Sequence, residues 1–371
     1  MTQKMKRGIS QLLVCGFMLM VLVSCGNSTN SGEKSDADTN SGKSVVTVGI
    51  LVGTSAHERW QKEITMFEEY AAELGVKVLI QTAEDDQGKQ MSQCENMLSQ
   101  GIDVLICQPV DSQGAGAIVE ACHEEGIKVM AYDRFIENSQ LDYCVGFDDI
   151  QVGELQASMV LEACGYSGNI AILKGDSTTV NTHNLYIGNM NILKPYIDDG
   201  SVTVVCDQYC VGWSAEDAMT HLENALSSYD NDIAGVICHN DTTATGACQA
   251  LAAQGMAGSV PVSGQDCDLS AVQRVVDGTQ IGDVYKPLKI MNTAALDIAV
   301  LLAKGGTPET DFTSDNGAWS VYNNGTVDVP AMLMDVILVN SDNLASVLVG
   351  DHFYTMEEIY ANVPKSEWPE V

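Results

Sequence analysis

The segment Val46–Gln81, VTVGILVGTSAHERWQKEITMFEEYAAELGVKVLIQ, decides the fold. Its opening, Val46–Val52, is an apolar run of strand length, rich in β-branched residues. A polar loop follows. His57–Leu74 then repeats apolar residues at helical spacing, with Trp60, Ile64, Phe67, Ala71 and Leu74 on one face. Gly75 is the expected helix C-cap, and Val76–Gln81 reads as a second strand. The same unit recurs outward. A helix over Gln90–Gln100, a strand over Asp103–Cys107, a helix over Gln113–Glu125 and a strand over Lys128–Tyr132 follow, with Gly101 and Gly126 before the strands. A second series begins near Asn169, with strands at Ile170–Leu173, Val202–Val205, Ile233–Ile237, Val260–Ser263 and Ile281–Val284. Strands alternating with helices imply parallel sheets with right-handed crossovers, and near-continuous apolar strands imply sheets covered on both faces. The length from about Val45 onward exceeds what one core usually holds. The expected fold class is therefore α/β, with two doubly wound parallel-sheet lobes.

Charge and the N-terminus bound the partners and the compartment. Fifty acidic residues against 18 basic ones give a formal charge of −32, which argues against nucleic acid and anionic lipid surfaces as partners. Lys4, Lys6 and Arg7 precede an apolar stretch, Leu12–Val23, too short for a stable membrane span. The stretch ends in Leu22-Val23-Ser24-Cys25, which resembles a bacterial lipobox. The expectation is a lipoprotein signal peptide over 1–24, acylation of Cys25, and a flexible Ser/Asn/Gly-rich tether over 25–44 that holds the protein on the outer face of the membrane. Ten cysteines follow Cys25. Most sit inside apolar strand or helix patterns and are expected to be buried free thiols; only Cys206 and Cys210 are close enough in sequence to suggest a bridge or metal clip.

In open parallel sheets a ligand lies beyond the carboxyl ends of the strands. That rule selects Gly53–Trp60, Tyr132–Arg134, Gly175–Asn181, Gln208–Trp213, His239–Asp241, Gln265–Asp266 and Tyr285–Lys286. These loops combine carboxylates, Arg, Asn, Lys and indole rings, which suits a neutral polyhydroxylated ligand: carboxylates accept its hydroxyls, Arg and Asn donate, and indole faces cover its C–H surface. Each residue also has a plainer reading. Asp133-Arg134 would serve as a surface ion pair, Asn240 as a helix N-cap, and Trp60 and Trp213 as core. Enzyme signatures are lacking: there is no Gly-x-Ser-x-Gly elbow, P-loop or His-Glu-x-x-His, and Gly114-Ala115-Gly116 has Val119 where a dinucleotide motif needs its third Gly. The six scattered His argue against a His-rich metal site, and no catalytic residue, metal ligand or cofactor is expected.

Several stretches together carry a resemblance. They include Glu58–Lys62, Met91–Met97, Ala131–Arg134, Val152–Ala157, Asn240-Asp241, Ala250–Gly258, Ser263–Asp266, Val284–Pro287, Asn323–Gly325 and Asp328–Pro330. In them the chain resembles the type I periplasmic binding proteins, most closely the D-xylose-binding members of ABC sugar importers. The resemblance implies two lobes joined by a hinge, with 45–147 plus about 287–319 in the first lobe and 148–286 plus about 320–371 in the second. It implies sugar contacts from Arg59, Trp60, Asp133, Arg134, Asn181, Trp213, Asn240, Asp266 and Lys286. Thr54-Ser55-Ala56-His57 departs from the family pattern. The implied function is capture of a monosaccharide, D-xylose, and its delivery to an ABC transporter permease by hinge closure. The rivals are a sensor presenting its closed form to a membrane receptor or kinase, a binder of glucose, arabinose or ribose, and an enzyme acting on sugars.

Overall fold

The computed structural model describes residues 45–370; the expected signal peptide, Cys25 and the tether lie outside the described residues. The first five strands are β1 (Thr47–Val52), β2 (Lys77–Thr82), β3 (Val104–Cys107), β4 (Lys128–Tyr132) and β5 (Tyr143–Phe147). Between them run α1 (Glu58–Leu74), α2 (Gln87–Ser99) and α3 (Gly116–Glu124). Period-two alternation puts Val48, Ile50, Val52, Val104, Ile106, Met130 and Tyr132 on one sheet face, against Trp60 and Phe67 of α1. Leu51, Leu105, Cys107, Val129 and Ala131 turn to the other face, against Cys94 and Met97 of α2 and Ile118 and Cys122 of α3. Gly75 ends α1 at φ 67°, its N–H reaching the Ala71 and Ala72 carbonyls. The buried face of α1 is not purely apolar, since Arg59 and Glu63 are buried beside Trp60 and Phe67, while Leu74 at the helix end is exposed.

The chain crosses after β5 into α4 (Asp149–Ala163), and the second series begins: β6 (Gly168–Lys174), α5 (Val180–Asp198), β7 (Val202–Tyr209), α6 (Ala215–Ser228), β8 (Gly235–Cys238), α7 (Asp241–Ala253), β9 (Ser263–Gln265), α8 (Leu269–Val276) and β10 (Gly282–Tyr285). The strand order is β7-β6-β8, continued to β9 and β10 by a parallel bridge between Val236 and Val262. Counted within its own series, this is the order 2-1-3-4-5 of the first sheet, so the chain repeats one doubly wound plan. Helices α4 and α5 cross so closely that a Cβ on Gly153 would lie 2.1 Å from the Leu185 carbonyl oxygen, and one on Gly188 2.1 Å from that of Ile150.

After β10, α9 (Leu288–Ala303) packs back on the first sheet through Met291, Ala295, Ile298 and Leu302. The expected boundary near Trp319 is displaced. β11 (Gly317–Asn323) and β12 (Asp328–Met334) form a hairpin turning at Asn324-Gly325, and β12 extends the first sheet by pairing in parallel with β5. The apolar side chains Val329, Ala331, Met332 and Met334 hold it there. Only β13 (Ile337–Asn340) joins the second sheet, antiparallel to β10, and the C-terminal residues Leu344–Tyr360 pack on Cys267, Val272 and Tyr285. The return crossing thus lies between Met334 and Ile337. All ten described cysteines are unbridged, including Cys206 and Cys210, although the buried Cys94 and Cys122 sulfurs lie 3.6 Å apart.

Candidate functional site

The carboxyl ends of both sheets face each other across a cleft that is shut. From the first lobe come Arg59 and Trp60, which open α1 behind β1, and Asp133 and Arg134, which follow β4. From the second come Asn181 in the first turn of α5, Trp213 behind β7, Asn240 behind β8, Asp266 behind β9 and Lys286 behind β10. All nine residues singled out in the sequence line one cavity, joined by His57, Gln265 and Asp268. The space between these atoms, including its opening, is about 430 Å³.

Three of the nine hold their backbones at positive φ: Asp133 at 59°, Trp213 at 60° and Asp266 at 93°. Non-glycine residues occupy that region at a cost, which is met where a side chain must be aimed. Trp213 is seated against Gly175, where a Cβ would come within 2.4 Å of the indole carbons, so only glycine lets the ring approach. The plainer readings are partly realised. Asn240 does cap α7, with Oδ1 accepting from Thr243 N at 2.9 Å, and both indoles are buried. Asp133 and Arg134, however, are each only 5% exposed, and Asp133 pairs with Arg59 instead of its neighbour.

The charges are nearly all answered. Arg59 Nε bonds Glu63 Oε1 at 2.6 Å, Nη1 bonds Asp266 Oδ1 across the cleft at 3.1 Å, and Nη2 bonds Asp133. Lys286 Nζ lies 3.9 Å from Asp133 and 3.8 Å from Asp149, and Asn181 Nδ2 donates to Asp149 at 2.9 Å. Burial pushes the Asp133 carboxyl up, but Arg59 and Lys286 outweigh it and hold it below its ordinary value. Burial dominates at Asp149 and Glu63, each pushed up to about 7. Arg134 differs from the other cations. Its guanidinium lies between two indoles, 5.7 Å from the Trp60 ring and 5.8 Å from that of Trp213, and its one hydrogen bond among the described residues, to the Pro109 carbonyl, is 3.5 Å long. Burial lowers its pKa. Among the described residues, four more polar atoms of the wall are buried without partners: Asn181 Oδ1, Gln265 Oε1, Trp213 Nε1 and His57 Nε2. The wall therefore offers unused donors and acceptors together, which a ring of hydroxyls can satisfy and a simple ion cannot.

Residues 48–307 match the family described as periplasmic binding protein domain. The chain belongs to that family. Its members are solute-binding proteins, and the two lobes are the type I fold of the family. The D-xylose-binding periplasmic protein of Escherichia coli is 40% identical over 85% of this chain and 92% of its own length. The multiple sugar-binding periplasmic receptor of Rhizobium radiobacter is 30% identical, over 84% and 92%. Among solved structures, the Clostridium phytofermentans ABC transporter solute-binding protein with bound β-D-glucose superposes with a TM-score of 0.77 at 29% identity, covering 84% of this chain and 99% of that one.

Sequence reasoning missed five residues around this periplasmic-binding-protein cleft. Gln265 was within reach, since it stands beside Asp266 in a selected loop, and Glu63 sits four residues after Arg59, the spacing of a helical ion pair. Asp149 follows β5, a strand the pattern did not reveal. His57 also stood in a selected loop, Gly53–Trp60, whereas Asp268 turns inward through loop geometry that no periodicity announces.

Proposed function

We propose that this protein captures D-xylose between its lobes and delivers it, in the closed form, to the permease of an ABC importer, tethered to the membrane by an acylated Cys25. The observation that carries the reading is the closed cavity where both lobes contribute answered charges and unanswered hydrogen-bonding atoms. The residues proposed to hold the sugar are Arg59, Trp60, Asp133, Arg134, Asn181, Trp213, Asn240, Asp266 and Lys286. Charge-assisted hydrogen bonds contribute roughly 1.5–3 kcal/mol each before the costs of binding, so a few of them with stacking suffice for about −8 kcal/mol, a micromolar Kd. The choice of D-xylose is supported by the 40% identity to the E. coli protein of that name. D-glucose is the second reading, favoured by its presence in the Clostridium phytofermentans relative; it shares xylose's ring hydroxyl arrangement and adds a hydroxymethyl group.

Calorimetric titration with D-xylose, D-glucose, L-arabinose and D-ribose tests the reading. The tightest binding is expected for D-xylose, with the sugar recovered chemically unchanged. No heat with any of the four, or conversion of the sugar to a product, defeats it. For the anchor, Cys25→Ala is expected to leave the protein unacylated; acylated, membrane-bound mutant protein refutes that part alone.

A further inference from the structure

His57 stands where the loop behind β1 becomes α1, as the N-cap residue of a 17-residue helix, yet its side chain makes no cap hydrogen bond. Instead Nδ1 reaches across the cleft to Thr242 Oγ1 of α7, at 3.1 Å. The ring also lines the cavity, and its Nε2 is buried without a partner among the described residues. We infer that His57 is both a sugar contact and a clasp between the lobes: Nδ1 pairs with Thr242 while Nε2 meets a hydroxyl of the bound sugar, so closure requires the neutral ring and sugar affinity falls on acidification. This rests on the sugar-binding reading above.

The chemistry of the neutral ring fits both tasks. One nitrogen donates and the other accepts, and Thr242 and a sugar hydroxyl each do either, so whichever tautomer Thr242 selects, Nε2 keeps one bond to offer. A protonated ring has no acceptor and carries a charge into the closed cleft. There it faces Arg134 from the loop after β4, Asp266 from the loop after β9, Asp85 from the loop after β2 and the Gly212 backbone beside Trp213. Burial and Arg134 lower the pKa of the closed-form ring, and Asp266, Asp85 and Gly212 only partly offset them. In the open form the ring faces water, where a histidine titrates near 6.5. Closing around sugar then expels the proton, and linkage weakens binding by up to about tenfold per pH unit below that value.

The test is D-xylose titration of the parent, His57→Gln and Thr242→Val at pH 5.5, 6.5 and 7.5, with thermal melts of each ligand-free protein. The parent is expected to lose up to about tenfold in affinity from pH 7.5 to 5.5. His57→Gln should bind several-fold more weakly at pH 7.5 and show a flatter profile. Thr242→Val should weaken binding but keep the pH dependence, because the imidazole remains. A parent that binds no sugar at pH 7.5 defeats the functional reading, and this inference with it. A parent that binds sugar without pH dependence, or a His57→Gln variant matching its affinity and profile, overturns this inference alone.

Discussion

Asp266 is where a single substitution tests the cleft most directly. Its carboxylate joins the lobes through the 3.1 Å bond from Arg59 Nη1 and stands at the wall where a sugar hydroxyl would be received. Removing it does not strand Arg59, which keeps Glu63 and Asp133 as partners. The loss is therefore confined to bonds made on closure. One charge-assisted bond is worth roughly 1.5–3 kcal/mol, and Asp266→Ala removes the inter-lobe bond together with any bond to the ligand. An affinity loss on the order of 2–3 kcal/mol, about 30- to 150-fold in Kd, is expected. Because Asp266 sits at φ 93°, alanine adds backbone strain, and Asp266→Asn is the companion variant, since asparagine tolerates positive φ better. It keeps an acceptor and loses the charge, so a smaller loss of about tenfold is expected. Calorimetric titration with D-xylose measures both, and ligand-free melts confirm folding. If both variants bind within twofold of the parent, Asp266 is not a ligand contact and the geometry of the site is misassigned.

Three further outcomes follow from the structure. Asp86 caps α2 by accepting from Lys89 N at 2.9 Å and lies outside the cleft, so Asp86→Ala should cost about 1 kcal/mol in denaturant unfolding and leave sugar affinity unchanged. Gly188→Ala places a methyl against the Ile150 carbonyl and should destabilise by roughly 1–3 kcal/mol, read as a lower Tm. Asp241 and Asp283 are fully buried and share the Gln280 amide; burial pushes both carboxyls up, Asp283 to about 7. The folded state therefore holds protons that the unfolded chain releases near pH 4, so this contribution to stability is greatest at low pH and is lost as pH rises toward 7. Denaturant unfolding at pH 4.5 to 7.5 should show a flatter fall for Asp283→Asn than for the parent.

The fold was legible where the chain obeys the strand–helix rhythm and illegible where it leaves it. The strands ending at Val52, Cys107, Tyr132, Lys174 and Tyr285 announce themselves as apolar runs before polar loops; the strand-end rule selected the loops, and the family resemblance picked the nine cavity residues within them. β5 (YCVGF) is buried throughout but follows β4 with no helix between them, and β11 is an edge strand with Ala318, Ser320, Val321 and Asn323 exposed, so neither fits the strand–helix rhythm. The lobe boundary failed for that reason: a hairpin added to a sheet edge follows no crossover rule. Within the site, side-chain identity was readable and direction was not. Asp133 and Asp266 face the cavity because their backbones take positive φ, a choice the residue types permit but do not announce.

The unpartnered atoms of the wall also explain why closure and binding would be one event. In the closed form Asn181 Oδ1, Gln265 Oε1, Trp213 Nε1 and His57 Nε2 are cut off from water, and an unsatisfied buried polar group costs about 1–3 kcal/mol. An open cleft lets water meet all four. On the proposed reading, the ligand-free protein would be biased toward an open form by several such costs, opposed by the inter-lobe bonds Arg59–Asp266 and His57–Thr242. A sugar removes the costs only when its hydroxyls reach atoms from both lobes at once, since His57 belongs to the first while Asn181, Trp213 and Gln265 belong to the second. A ligand that binds the closed form and barely touches the open one shifts the population by its full differential affinity. A wrong epimer that leaves even one of these atoms unmet forfeits roughly a factor of ten, so on this reading the rejection of other sugars and the resistance to empty closure arise from the same four atoms.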